Sequence, residues 1–112
     1  MNRRDKLADL ARLAALVEDA ERARLARAAA ERNSMQAAIT ALGESPALPS
    51  APDIAASLNA EQHEVWRVQR RATLNLGLAR ATARYLEAKG DAAKAFGRAS
   101  VLARLAEKGR KG

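Results

Sequence analysis

The prolines of this chain are confined to one short segment. Pro46, Pro49 and Pro52 are the three prolines among 112 residues, and they lie within the stretch GESPALPSAPDIAAS. Proline lacks a backbone N–H and restricts the residue before it, so a helix does not continue through such a cluster. The stretch is therefore predicted to be an extended connector over residues 43–57. It separates two long proline-free segments, each of which is free to form one long helix.

The composition favours long helices with close interfaces over a wide core. Leu, Ile, Val and Phe supply only 21 of the 112 residues, whereas alanine is abundant. Alanine has the highest intrinsic helix propensity. The sequence predicts an all-α fold with two long helices in an antiparallel coiled-coil hairpin. The predicted single domain covers residues 1–112, with helix 1 over about 5–42, helix 2 over about 59–107, and a basic tail over 108–112.

Helix 1 carries one apolar seam in steps of three and four residues, as an amphipathic helix does. The helix should begin near Asn2 or Asp5 and end with Gly43, because glycine tolerates the left-handed conformation that follows many helices. The polar residues Glu21 and Arg32 interrupt the seam. Its members are Leu7, Leu10, Ala14, Val17, Glu21, Leu25, Ala28, Arg32, Met35, Ile39 and Leu42.

Helix 2 has a predicted start at Asn59, with Asn59 as N-cap and Gln62 three residues later as in a capping box. Gly90 followed by Asp91 is an alternative end and new start, which would give a three-helix bundle. The apolar pattern passes through Gly90 without losing phase. We therefore favour one continuous helix.

Two apolar stripes lie on nearly opposite sides of helix 2, at about 100° per residue. The first stripe consists of Leu58, Val65, Ala72, Leu76, Ala79, Ala83 and Leu86. The second stripe consists of Leu74, Leu78, Ala81, Tyr85, Ala88, Ala92, Phe96, Ala99, Ala103 and Ala106. The first stripe is predicted to pack on helix 1 and the second to remain uncovered. An exposed apolar row of this length indicates an interface, so Leu74, Leu78, Tyr85 and Phe96 are candidate partner contacts.

The only tryptophan, Trp66, lies in the basic stretch EVWRVQRR. It is open to three interpretations: a half-buried residue at the edge of the hairpin, a hot spot for a protein partner, or a stacking platform for nucleic acid. Arg70 lies four residues on, a spacing that allows a cation–π contact with Trp66 within the helix. Trp66 and the arginines on its line, Arg70, Arg80 and Arg84, complete the candidate partner interface.

The charge of the chain is unevenly distributed. Its formal net charge is +7, and residues 58–112 contain 12 basic against 5 acidic residues. This excess attracts acidic partners of any kind. An antiparallel hairpin would bring two basic segments together, and these candidate basic ends are Arg3, Arg4, Lys6, Arg104, Lys108, Arg110 and Lys111.

Several classes of chemistry lack the residues they need. The chain has no cysteine, one histidine, His63, and six scattered glycines that form no phosphate-binding loop. No stretch approaches the roughly 20 apolar residues of a membrane span, and the start does not resemble a signal peptide. We expect a cytoplasmic protein that is not an enzyme and binds no metal or cofactor.

The long run WRVQRRATLNLGLARATARYLEAKGDAAKAFGRASVLARLAEK resembles short FliJ-type flagellar export proteins, the coiled-coil stalk proteins of type III secretion. The resemblance implies an antiparallel coiled coil similar to the rotor stalk of rotary ATPases. It also implies contacts with a hexameric export ATPase and with the cytoplasmic domain of the export gate. The residues that would enter the ATPase ring are the basic ends. A second copy of the chain is a further candidate partner.

An alternative function is that of a small basic nucleic-acid-associated protein, because phosphate attraction requires no motif. The basic residues here alternate with alanine and acidic residues and do not form one dense strip. The sequence therefore favours a helical adaptor or stalk over this alternative.

Overall fold

The computed structural model describes residues 2–44 and 54–111, and all but the first of these residues are helical. α1 spans Arg3–Glu44 and α2 spans Ile54–Lys111. The two helices form an antiparallel hairpin, which confirms the predicted all-α class. The predicted extended connector falls largely on residues 45–53, which lie outside the described residues.

α1 begins with a side-chain cap. The Oδ1 atom of Asn2 accepts a hydrogen bond from the backbone N–H of Asp5 at 2.9 Å. This bond satisfies one of the N–H groups that a helix start leaves without a partner. Asp5 also places a carboxylate in the positive first turn. Of the two predicted starts, near Asn2 or Asp5, the structure has the one near Asn2, two residues before the predicted bound of about residue 5.

The other helix boundaries differ from the predicted ones. α1 continues through Gly43 to Glu44, and no described glycine has a positive φ, so Gly43 is not a left-handed C′ residue. α2 begins at Ile54, which places Asn59 inside the helix and makes its prediction as N-cap wrong. The helix-forming residues Ala55, Ala56 and Leu58 explain the earlier start. The helix also runs through the predicted tail, to Lys111.

α2 is continuous through Gly90. The prediction of one long helix over this region is confirmed, and the three-helix alternative is wrong. A methyl group added at Gly90 would meet no atom within 4 Å, so no close packing explains glycine at this position.

The contacts of the hairpin divide into two compact units. Unit 1 contains residues 1–29 and 83–112, and unit 2 contains residues 30–82. In each unit a segment of α1 packs against a segment of α2. Whether the chain behaves as one domain stays a prediction.

The buried core consists mainly of alanine. Ala81 and Ala88 have no exposed surface at all. The buried apolar residues of the described chain are Ala28, Leu42, Leu74, Ala81, Ala88, Ala92, Ala95 and Ala99. Six of these eight are alanine, and small side chains set a short distance between helix axes. Stability therefore depends on close approach of the two helices and not on large buried side chains.

The prediction of which α2 stripe packs on α1 is wrong. All seven residues of the first stripe are exposed, whereas eight of the ten residues of the second stripe are buried or half-buried. Phe96 and Ala103 are the two exceptions, and Ala95 is buried beside Phe96. The physical reason is that the alanine-rich stripe allows closer contact with α1 than the bulkier Leu and Val residues of the first stripe do.

The predicted seam of α1 is largely confirmed. Leu10, Val17 and Arg32 are exposed, which makes their assignment to the seam wrong. The seam residues that are buried or half-buried are Leu7, Ala14, Glu21, Leu25, Ala28, Met35, Ile39 and Leu42.

Candidate interaction surfaces

Trp66 lies on the surface of unit 2 with 52% of its area exposed. Its ring stacks on the imidazole of His63, with ring centroids 5.8 Å apart and planes inclined by 27°. The ring contact of Trp66 in the described structure is thus with His63, and not the cation–π contact with Arg70 that the spacing allows. His63 is half-buried in this stack and not fully solvent-facing.

The neighbouring residue Arg67 has a structural role. Its Nη2 atom donates a hydrogen bond to the backbone carbonyl of Leu42 at 2.9 Å. Leu42 lies in the last turn of α1, which contains no basic residue of its own. The last carbonyls of a helix lack intrahelical donors and carry partial negative charge. Arg67 therefore caps α1 from the opposing helix.

Arg4 caps the other helix in the reciprocal way. Its Nε and Nη2 atoms donate hydrogen bonds to the carbonyl of Gly109 at 3.1 and 3.0 Å, and Nη2 also donates to the carbonyl of Arg110 at 2.8 Å. Each helix thus ends on a guanidinium group that the other helix supplies. Because Arg67 lies 25 residues from Leu42 and Arg4 lies 105 from Gly109, local sequence signals do not reveal either cap.

We expect the substitution Arg67→Met to lower the free energy of unfolding by about 1 kcal/mol, because it keeps the apolar stem and removes the cap. Urea denaturation followed by circular dichroism measures this change. Arg70→Met is the matched control, since Arg70 is exposed and caps no helix. Equal stability of the two variants would show that the Arg67 contact contributes nothing.

A polar network joins the two helices of unit 1 at the seam position Glu21. The Nη1 atom of Arg24 lies 2.6 Å from Oδ2 of Asp91 and 3.2 Å from Oε2 of Glu21, and Nη2 lies 3.6 Å from Oε1 of Glu87. The hydrogen bonds to Asp91 and then to Glu21 raise the pKa of the Arg24 guanidinium. A basic group whose pKa is higher in the folded state than in the unfolded state contributes to stability at neutral pH. This contribution is lost only as the pH rises through the folded-state pKa, in strongly alkaline solution. The network gives the carboxylate of Glu21 a charged partner, which explains its presence in an otherwise apolar seam.

The predicted basic ends come together in unit 1. Arg3, Leu7, Leu105 and Lys108 line one groove of about 350 Å³ beside the Arg4 cap. Arg110 and Lys111 both pair with Glu107, at 2.6 and 3.6 Å. The Nε atom of Arg104 donates a hydrogen bond to the carbonyl of Ser100 at 3.5 Å, so with Arg4, Arg110 and Lys111 four of the seven predicted residues are engaged within the chain. No ion pair with a described residue forms at four of the seven, which are Arg3, Lys6, Arg104 and Lys108.

The net charge of the protein belongs entirely to unit 1. Its two segments contain 15 Lys and Arg against 8 Asp and Glu, whereas unit 2 contains five of each. The sequence predicted an excess in the second half of the chain. In the fold, the basic residues at the start of α1 lie in the same unit as this excess of positive charge.

The predicted partner row is mostly occupied by α1. Leu74 is only 6% exposed and Leu78 and Tyr85 are half-buried, so these three are part of the hairpin interface and not a free surface. Phe96 remains 55% exposed. Of the arginines assigned to the same surface, Arg70, Arg80 and Arg84 are exposed.

A different apolar surface lies along one side of unit 1, and sequence reasoning missed it. Val17 and Val101 line a groove between α1 and α2, and both are about half exposed, as is Leu10. The sequence feature that indicates this surface is the number of large apolar residues over 10–17. One seam cannot bury all of them, so some must remain exposed. The seam pattern predicts Leu10 and Val17 to be interior because both residues continue its spacing.

The described residues contain neither a candidate metal site nor a candidate membrane span. No three His, Asp or Glu side chains among them are grouped in a way that could hold a metal ion. Neither helix, over its described length, contains an 18-residue stretch apolar enough to cross a membrane.

The chain was compared with known proteins. No protein-family model, curated protein or solved structure matches it.

Proposed function

We propose that this protein is a non-enzymatic helical adaptor in a protein-export assembly, with a role like that of the FliJ-type stalk proteins it resembles. The observation that carries this proposal is the concentration of positive charge in unit 1. All of the net charge belongs to this unit, and four cations near the paired helix ends make no ion pair with described residues. Such a surface attracts an acidic partner over a range of many ångströms.

The reciprocal cap supports the proposal because it holds this end of unit 1 in one arrangement. Arg4 joins the first turn of α1 to the last turn of α2 through three hydrogen bonds. A surface that is ordered before binding loses less conformational entropy when a partner arrives. The proposed partners are a hexameric export ATPase and the cytoplasmic domain of the export gate, which would place the protein in the cytoplasm.

The test is a fourfold charge reversal, Arg3→Glu, Lys6→Glu, Arg104→Glu and Lys108→Glu, with Arg4 left in place to preserve the cap. We expect binding to the purified hexameric export ATPase of the same organism to weaken by at least about tenfold, because rim charges govern electrostatic attraction. Co-sedimentation and the ATPase rate measure the loss. Binding of the unchanged protein should also weaken as salt is raised.

A matched control reverses four exposed cations elsewhere, Arg22, Arg27, Arg71 and Lys89, and changes the net charge equally. The control should retain most of the binding. Equal loss in both variants would show that only total charge matters. Failure of the unchanged protein to bind the ATPase ring at low salt would contradict the export role.

Nucleic-acid association is the second candidate, and the same charged unit favours it. Attraction to phosphates falls steeply with salt. We expect affinity for DNA or RNA to disappear near physiological salt. Binding that persists there, and that the fourfold reversal removes, would support the nucleic-acid role instead.

A further inference from the structure

The groove along one side of unit 1 is lined by apolar groups with two cations beside them. α1 contributes Ala14 and Val17, and α2 contributes Ala95, Gly97, Val101 and Leu102. The groove has a volume of about 580 Å³. Its wall includes Val17 and Val101, which are 51% and 48% exposed. This apolar surface is continuous with the buried contact between the two helices, and no described residue covers it.

Gly97 lies in this groove and has no side chain, which makes the groove deeper at that position. A methyl group at Gly97 would meet no atom within 4 Å, so the packing of the hairpin does not require glycine here. Glycine in a helix interior costs about 1 kcal/mol relative to alanine. The missing side chain leaves room for a large apolar residue of another molecule to approach the backbone of α2 closely.

Lys94 and Arg98 supply the charge that selects the occupant. Both line the groove, four residues apart on α2, and both are exposed. Neither forms an ion pair within the described part of the chain. A ligand with apolar residues on one face and carboxylates beside them would satisfy the groove and both cations.

A second copy of the chain is a poor occupant. Two copies that meet by this side would bring together two units that each carry 15 basic and 8 acidic residues. The resulting repulsion opposes association. The charge of the unit therefore favours a different, acidic molecule.

We propose that this groove binds an acidic amphipathic helix of a partner protein. The helix places apolar anchors at i, i+3 or i+4, and i+7 over Gly97 and between Val17 and Val101, which is how helices occupy hydrophobic grooves. Its flanking Glu or Asp residues pair with Lys94 and Arg98. The proposal goes beyond the role assigned to the basic end, because the groove does not include Arg3, Lys6, Arg104 or Lys108.

The experiment uses the full chain and two synthetic peptides that differ only in charge. One peptide is an amphipathic helix with Leu at the anchor positions and Glu beside them, and the other has Lys in place of each Glu. Isothermal titration calorimetry measures their affinities. We expect the Glu peptide to bind at least about tenfold more tightly than the Lys peptide. Equal affinities, or no binding of either peptide, would overturn the proposal.

Protein variants then locate the site. Gly97→Leu fills the groove and should abolish binding of the Glu peptide, while Gly90→Leu makes the same change at another open glycine and should preserve it. Lys94→Glu with Arg98→Glu should also abolish binding, whereas Arg27→Glu with Lys89→Glu, at two exposed cations outside the groove, should not. Equal losses in target and control variants would place the binding elsewhere and overturn the proposal.

Sedimentation velocity of the unchanged chain tests the competing occupant. We expect a monomer over the concentration range of the titration. A dimer that Gly97→Leu dissociates would show that a second copy fills the groove, and the proposal would be wrong. Because these variants leave the basic end intact, loss of peptide binding and loss of ATPase binding can be told apart.

Discussion

Ala88→Asp is expected to destabilise the hairpin by about 3–5 kcal/mol. Ala88 has no exposed surface and lies in the alanine-rich contact between the helices. An aspartate there would place an unpaired charge between two helices that pack closely, and uncompensated buried charges cost this much. A small domain has only about 5–15 kcal/mol of stability in total. We expect a large fall in the midpoint of urea unfolding, followed by circular dichroism at 222 nm.

Ala83→Asp is the matched control for this substitution. Ala83 lies five residues earlier on the same helix, in the same unit, and is exposed. Only the lower helix propensity of aspartate should act there, at a cost of about 0.7 kcal/mol or less. The pair also tests which α2 stripe packs on α1. A greater loss at position 83 than at position 88 would show that the helices meet by the opposite stripe.

Two substitutions at Gly90 are expected to change stability in opposite directions. Gly90→Pro removes the hydrogen bond to the carbonyl of Leu86 and forces the proline ring against that carbonyl, at a cost of about 3 kcal/mol or more. Gly90→Ala should stabilise the protein by about 0.8–1.0 kcal/mol, because alanine favours the helix and its methyl group would meet no atom within 4 Å. Both follow from the continuity of α2 at this residue.

Thermal unfolding and helix content together measure the Gly90 effects. Gly90→Pro should lower both, whereas Gly90→Ala should raise the midpoint and leave the helix content unchanged. A helix that broke near Gly90 in solution would tolerate proline there, and alanine would then bring no gain. That outcome would contradict one continuous α2.

The existence of two long helices could be predicted because the evidence for it is local. The proline cluster separates the helices, and alanine-rich segments favour helix whatever they pack against. The continuity at Gly90 was also predictable, since the apolar pattern keeps its phase across that residue. A helix start near Asn2 was predictable as one of two alternatives, and the cap that forms there is local, because its partner, Asp5, is three residues away.

The pairing of the faces was harder to predict because it depends on a competition between two stripes. The stripe that contains Leu76 and Leu86 is the one predicted to pack on helix 1, yet these side chains are 52% and 58% exposed. Close approach along alanine decided the packing instead. The Arg67 cap and the groove at Val17 depend on which residues of the other helix are opposite, and no local pattern supplies that information.

The two arginine caps have a consequence for the alignment of the helices. The contact between the helices contains four identical side chains, those of Ala88, Ala92, Ala95 and Ala99. A slip of one helix by about two turns would therefore replace alanine contacts with other alanine contacts. Such a slip would move Arg4 away from Gly109 and Arg67 away from Leu42 by about 10 Å, at 1.5 Å per residue. The guanidinium groups at the helix ends thus select one of several nearly equivalent alignments. The same slip would separate Arg24 from Asp91, now 2.6 Å apart, so this contact between the helices selects the same alignment.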